Sequence, residues 1–123
     1  GHYYFRDNYT AESSALAVLS VANILGASDR PLSELIAPLR KYAQSGEINS
    51  KVSRAPAAIL DEIKAAYADG ALTELDGVSI AFDDWWFNVR CSNTEPLVRL
   101  NIEARTPALM AARRDELLAR IRA

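Results

Sequence analysis

Residues 97 to 104 alternate without a break. Val98, Leu100, Ile102 and Ala104 fall on one side, and Leu97, Arg99, Asn101 and Glu103 on the other. A helix would spread that pattern around its circumference, whereas a strand divides it between two faces. The same alternation runs just upstream, where Trp85, Phe87 and Val89 share one face and Trp86, Asn88 and Arg90 the other. Two such strands joined by a short polar loop predict a hairpin with one buried face, and a buried face needs a cover.

The cover is legible in two helical stretches. Pro56 opens a helix in which Ile59, Ile63, Ala66 and Tyr67 share a stripe, ending at Asp69-Gly70. Thr106-Pro107 reads as an N-cap followed by proline at the first helical position, and the helix it opens turns Met110, Leu117 and Ile121 inward. Glu47 to Val52 alternates as a half-buried strand, with Ile48, Ser50 and Val52 on one face. Asp76-Gly77 marks a turn before the run Val78 to Phe82, and Asp83-Asp84 makes another. From residue 47 the predicted order is strand, helix, strand, strand, strand, helix. That order gives an α+β fold, a mostly antiparallel four-stranded sheet covered on one face by two helices.

The N-terminal third reads differently. His2 to Arg6 is strand-like, and Asn8 to Ser14 is polar, with Thr10 and Glu12 as helix-start signals. Ala15 to Leu25 is apolar on nearly all sides, which predicts a helix buried on more than one face and stopped by Gly26. Pro31 opens a second short helix with Leu32, Leu35, Ile36 and Leu39 at helical spacing. Residues 40–46 are mostly polar and read as a connection between two units.

Chemistry concentrates in the loop Arg90-Cys91-Ser92-Asn93-Thr94-Glu95-Pro96. Arg90 offers a planar fork that binds phosphate through two parallel charge-assisted bonds. Ser92 and Thr94 add hydroxyls, and Asn93 adds an amide and tolerates a left-handed backbone. A turn here can also aim successive backbone N–H groups at one anion. The same residue types are ordinary hairpin-turn residues. Arg90 lies on the face opposite Phe87 and Val89, so it can enter a cleft without disturbing the core. Glu95 beside an anion is repulsive; it is expected to pair with Arg99 or another nearby cation, while Glu103 falls on the same strand face as Arg99, and the alternative is that Arg99 itself reaches the phosphate.

Other function classes are disfavoured. The chain of 123 residues has a formal net charge of -2 and a pI near 5.4, which argues against a general nucleic-acid surface. Trp85 and Trp86 are neighbours in a strand, so their rings point to opposite faces and form no single stacking platform. Cys91 is the only cysteine, so no internal disulfide is possible, and no base partner marks it as a nucleophile. The apolar run from Ala15 to Leu25 is broken by Ser20 and Asn23 and falls short of the ~20 residues a membrane span needs.

The motif Arg-x-Ser-Asn-Thr-Glu-Pro resembles the phosphate-binding loop of the α-D-phosphohexomutases, the phosphomannomutase/phosphoglucomutase family. The opening Gly1-His2-Tyr3-Tyr4-Phe5-Arg6-Asp7 looks like the end of that family's sugar-recognition loop, Gly-Glu-Met-Ser-Gly-His, running into a strand. Ser45-Gly46-Glu47-Ile48-Asn49 looks like the segment that opens its last domain. The three fall in the family's order and cover essentially the whole chain.

The resemblance implies a C-terminal piece of a four-domain enzyme. Residues 1–42 would be the strand-helix-helix tail of the third domain, and residues 43–123 the C-terminal phosphate-binding domain, with the hinge near residues 40–46. The parent would be a cytoplasmic enzyme interconverting hexose 1-phosphate and 6-phosphate through a phosphoserine, magnesium and a bisphosphorylated sugar. Arg90, Ser92, Asn93 and Thr94 would hold the phosphate that is not being transferred, and His2 would be an accessory catalytic group in the intact enzyme only. The phosphoserine loop and the Asp-Gly-Asp-x-Asp-Arg metal loop are not in this sequence, so no metal ligand or cofactor is expected in the piece, and no turnover by it alone. Its implied partners are a phosphorylated hexose and the upstream domains of the same polypeptide, with neither nucleic acid nor membrane. The alternative is a stand-alone, non-enzymatic phospholigand-binding α+β domain.

Overall fold

The structure is a computed structural model and describes residues 2–92 and 95–123. It divides into two compact units, Gly1–Arg40 and Lys41–Ala123.

In the first unit, β1 (Tyr4–Phe5) pairs antiparallel with β2 (Ala11–Glu12) around a 3-10 turn at Arg6–Asn8. Helix α1 (Ser14–Gly26) follows, capped by Ser13, whose Oγ accepts from the Leu16 N–H at 3.3 Å. Glu12 therefore belongs to a strand, and the cap is one residue further on. Helix α2 (Leu32–Ile36) runs into a 3-10 turn, Ala37–Leu39. The expected burial of α1 on more than one face is not met: none of its residues is buried, and Val18, Leu19 and Ile24 are each more than half exposed. Within the unit, a two-stranded ribbon and the short α2 leave an all-round apolar helix without full cover.

The second unit is the α+β domain. Its strands are β3 (Ala43–Gln44), β4 (Ile48–Lys51), β5 (Ala71–Thr73), β6 (Val78–Ala81), β7 (Trp85–Cys91) and β8 (Leu97–Ala104). All pair antiparallel in the order β3-β8-β7-β6-β5, with β4 also on β8. The sheet is thus wider than the four strands expected. Ala71–Thr73 adds an edge through Leu72 opposite Ile80, and Ala43–Gln44 extends the other edge. Both pieces are too short to show a period in sequence and become strands only by pairing.

Helices α3 (Pro56–Ala66) and α4 (Pro107–Arg122) supply the covering layer. Thr106 caps α4 as its sequence predicts, Oγ1 accepting from the Leu109 N–H at 3.2 Å. Phe87, Val89, Val98, Leu100 and Ile102 on the sheet meet Ile59, Ile63, Leu117 and Ile121 from the helices, all essentially inaccessible to solvent. Tyr67 and Trp85 extend this core, and Met110 is only half-buried. Ala66 is exposed, because α3 turns Ile59, Ile63 and then Tyr67 inward.

Tyr67 also carries a polar link between the helices: its hydroxyl donates to Glu116 Oε1 at 2.8 Å, and Arg113 Nη1 donates to Glu116 Oε2 at 2.8 Å. Burial, then the adjacent carboxylate, pushes the Tyr67 phenol from 10.0 up to about 12. The folded state therefore favours the neutral phenol. Its contribution is fully present below the unfolded value and is lost as pH rises through the raised one. Wild type should lose on the order of 1 kcal/mol between neutral pH and about pH 11 that Tyr67→Phe does not lose. Urea denaturation of both proteins across that range checks it, and parallel pH profiles would contradict the link.

Candidate functional site

Strand pairing alone places the candidate residues. Arg90 on β7 stands directly opposite Arg99 on β8. Each follows a fully buried neighbour, Val89 and Val98, so both arginines project from the face that the helices leave open. Like charges directly opposite each other repel. A local irregularity in the neighbouring strand answers this. Gln44 stands opposite Glu103 and Ile48 opposite Leu100, so the β3–β4 edge carries one residue more than β8 between those pairs. Gly46, at φ +66°, takes the left-handed conformation of a glycine bulge. The bulge keeps Ile48 and Ser50 facing the core and swings Glu47 onto the open face.

Glu47 there meets both arginines. Arg90 Nη2 donates to Glu47 Oε2 at 2.9 Å, and Arg99 Nη1 lies 3.7 Å from Glu47 Oε1. Arg90 Nη1 donates to Asp76 Oδ2 at 3.3 Å. The expected Glu95–Arg99 pair does not form: Glu95 is exposed and makes no ion pair among the described residues, and Arg99 turns to Glu47 instead. Glu103 is also engaged elsewhere, accepting from Trp86 Nε1 at 3.1 Å and from Gln44 Nε2 at 2.9 Å. The hydrogen bond from Arg90, ahead of the charge of Arg99, holds the Glu47 carboxyl below the usual carboxylate range, and the same bond raises Arg90. The stability from this contact is present above the ordinary carboxylate value and is lost as pH falls through the lowered one.

The loop itself is partly described. The Ser92 N–H donates to the Leu97 carbonyl at 2.8 Å, so that N–H closes the hairpin and is not aimed at an anion. The Val52 N–H donates to the Pro96 carbonyl at 3.2 Å, tying the loop to the end of β4. Asn93 and Thr94 lie outside the described residues. Beside the loop, Arg90 lines an open cleft of about 490 Å³ whose walls include Gly46, Asp76 and Asn88. Asn88 Nδ2 donates to the Asp76 carbonyl at 2.8 Å and to Ser79 Oγ at 2.9 Å, which fixes the Asp76 turn against β7.

The remaining candidates have surroundings of their own. His2 is exposed and belongs to the first unit. Cys91 is half-buried, and burial pushes its thiol up, away from the reactive thiolate. Trp85 is buried while Trp86 is on the open face, the opposite-sided arrangement that their adjacency predicts. No three His, Cys, Asp or Glu side chains converge among the described residues. No helix among them is long and apolar enough to cross a membrane. Sequence reasoning missed Glu47 and Asp76. The local signals were Gly46 just ahead of an alternating run that sets Glu47 on the face opposite Ile48, and the Asp76-Gly77 turn.

Known proteins are similar to this chain. Residues 47–120 match the family described as "Phosphoglucomutase/phosphomannomutase, C-terminal domain". A phosphomannomutase from Escherichia coli is 43% identical over 122 residues, covering 96% of this chain and 26% of the relative. One from Methanocaldococcus jannaschii is 40% identical over 116 residues, 94% of this chain and 26% of the relative. Among solved structures, a phosphoglucomutase/phosphomannomutase family protein from Burkholderia thailandensis superposes with a TM-score of 0.72 at 25% identity, covering 98% of this chain and 26% of that one. This chain thus spans about a quarter of the length of these relatives. With β4, both strands of the Arg90 hairpin and the covering helix α3 inside the matched residues, the chain belongs to the phosphoglucomutase/phosphomannomutase family and carries its C-terminal domain.

Proposed function

We propose that this chain is the end of a hexose-phosphate mutase that holds the substrate's non-transferred phosphate. The observation that carries the reading is Arg90. Its guanidinium projects from a rigid antiparallel sheet, at the root of the Ser92-Asn93-Thr94 loop and at the edge of an open cleft. A phosphate held there positions the far end of a sugar for reaction, and fixed placement of a reacting group is worth several kcal/mol. In interconverting hexose 1-phosphate and 6-phosphate, one such anchor serves whichever end is not reacting. Ser92, Asn93 and Thr94 are assigned as its further donors.

The whole enzyme is proposed to work in the cytoplasm on mannose or glucose phosphates, with His2 as an accessory proton-transfer group and with phosphoserine and magnesium supplied by other parts of the polypeptide. The bare apolar surface of α1 supports further segments of the same polypeptide as its cover. The share of the reaction proposed for these residues is to hold and orient the anion.

The test is titration of the 123-residue chain with inorganic phosphate or glucose 6-phosphate, followed by amide chemical shifts. Residues 91 to 95 should shift, with Kd on the order of millimolar, while α4 stays still. Arg90→Ala should weaken binding about ten-fold or more, since a charge-assisted bond contributes roughly 1.5–3 kcal/mol. Arg90→Lys should recover only part of the affinity, because an ammonium lacks the fork. Shifts that persist in Arg90→Ala, or that gather on the arginines of α4, would place the anion elsewhere. In a coupled mutase assay the chain alone should show no magnesium-dependent turnover.

A further inference from the structure

Strand register arranges the open face of the sheet in ranks. Asn88 stands opposite Ser79 on one side and Asn101 on the other. Two residues toward the loop stand Arg90 and Arg99, and two residues away from it stand Trp86 and Glu103. Long side chains therefore bound the face at both ends, while short amides and a hydroxyl make its floor. The result is the cleft of about 490 Å³ that both Arg90 and Trp86 line, with Ser79, Asn88 and Asn101 between them. Arg90 and Trp86 are four residues apart on one strand, about 13 Å. Asparagine is depleted in strands, yet two asparagines face each other here across the interior strands β7 and β8. A local preference set aside in the middle of a well-packed sheet points to use. Asn88 spends both amide hydrogens on the Asp76 carbonyl and Ser79 Oγ, which leaves its Oδ1 as an acceptor. Asn101 makes no side-chain hydrogen bond among the described residues, so it can both donate and accept. Trp86 is held through Nε1–H, which donates to Glu103, and Glu103 is held in turn by Gln44. The indole borders both this cleft and a second hollow beside Asp84.

We propose that this cleft is a sugar-ring subsite, in which the ring of a phosphorylated hexose lies over Asn88 and Asn101 with its far edge against Trp86. The proposal rests on the reading of Arg90 as a phosphate anchor and adds recognition of the sugar by residues outside the loop. A ring carried on an anchored phosphate falls on the rank next to Arg90, about 7 Å along the strand. The floor of that rank is neutral and hydrogen-bonds in both directions, which matches hydroxyl groups, since each of them also donates and accepts. The C–H face of a pyranose is apolar enough to lie against indole. Glu103 at the far end accepts hydroxyl protons and disfavours a second anion. Amides that donate or accept as required also suit a ring presented in two orientations, as interconversion of the 1- and 6-phosphates demands. An anchor alone takes any phosphate ester; the ring subsite gives this domain a share in choosing among them.

The test compares methyl phosphate, which has no ring, with glucose 6-phosphate, each titrated into the 123-residue chain at fixed ionic strength and followed by chemical shifts. Glucose 6-phosphate should bind about ten-fold more tightly, the combined effect of a net hydrogen bond and a stacked ring. It alone should move the Trp86 Nε1–H resonance and the side-chain amides of Asn88 and Asn101. Asn101→Ala and Trp86→Ala should each cut that preference about three-fold or more and change methyl phosphate affinity less than about two-fold. Trp86→Phe, which keeps a ring, should retain most of the preference. Adenosine 5′-monophosphate is the control for a flat ring on the same anion and should show no such preference. The proposal is overturned if the preference is absent, if it survives in both alanine variants with their β7 and β8 amide shifts intact, or if adenosine 5′-monophosphate shows it equally. Any of these with methyl phosphate binding intact sinks only the sugar subsite. Methyl phosphate that fails to bind, or that binds Arg90→Ala undiminished, sinks the anchor reading and the subsite with it.

Discussion

Phe87→Ala should cost residues 41–123 about 3–5 kcal/mol of stability, the range for removing a fully buried aromatic ring. Phe87 has no exposed surface and sits in the middle strand of the sheet, opposite Ile80 on one side and Ile102 on the other. Its ring centroid lies 5.2 Å from that of Tyr67, edge-on, and 5.5 Å from that of Trp85. Trp85 in turn stacks on Phe82 at 4.6 Å. Truncation therefore opens a void that touches both layers, and rings held by one another cannot all collapse into it. A domain of this size commonly has 5–15 kcal/mol in total, so the variant should lie near its limit of folding. Trp86→Ala, one residue away on the open face, should cost only about 1 kcal/mol. Urea denaturation of the two variants decides the matter. Equal losses would mean that the sheet does not have one buried and one open face.

That contrast between adjacent residues is legible in the amino-acid sequence alone. Period two in Trp85 to Val89 assigns each ring to a face with no knowledge of its partners, and Leu97 to Ala104 forms a strand over the expected span. Thr106 announces α4 for the same local reason, since a cap needs only its own next three residues. The features that escape are those whose cause is distant in sequence. Ala71–Thr73 is a strand because β6 lies beside it. The ion pair expected between neighbours Glu95 and Arg99 goes instead to Glu47, brought to β8 by pairing across the sheet. The all-round apolar α1 suggests burial, but apolar composition states a demand for cover and does not supply it.

Of the candidate site, the facing of Arg90 is legible as well, because counting alone places it on the open face. Its surroundings are not. The carboxylates of Glu47 and Asp76 come from a bulge and a turn, and both features turn on a glycine with positive φ. Such glycines are visible in sequence, but which of them a tight approach requires is not.

Gly77 is the one the site depends on. It has φ +70°, and a Cβ built on it would collide with the Val89 carbonyl oxygen and lie 2.7 Å from Arg90 Cβ and 2.8 Å from Arg90 Cα. The turn that carries Asp76 is thus pressed directly against the backbone that presents Arg90. Gly77→Ala combines an unfavourable left-handed alanine with overpacking against a strand that cannot move without disturbing Val89 in the core. A loss on the order of 3 kcal/mol is expected. Gly46 gives the comparison. It has nearly the same backbone, φ +66°, but nothing within 4 Å of a built Cβ. Gly46→Ala should therefore cost only the conformational part, about 1–2 kcal/mol. Gly46→Asn should cost less still, because asparagine visits that region readily. Phosphate binding should separate the two sites further. Gly77→Ala should shift the β7 amides around Arg90 and weaken binding even under conditions where the protein is folded. The difference in denaturation free energy between the two alanine variants isolates the steric part. If Gly77→Ala proves no more costly than Gly46→Ala, the close approach of the Asp76 turn to Arg90 is wrong, and the placement of the second carboxylate at the site falls with it.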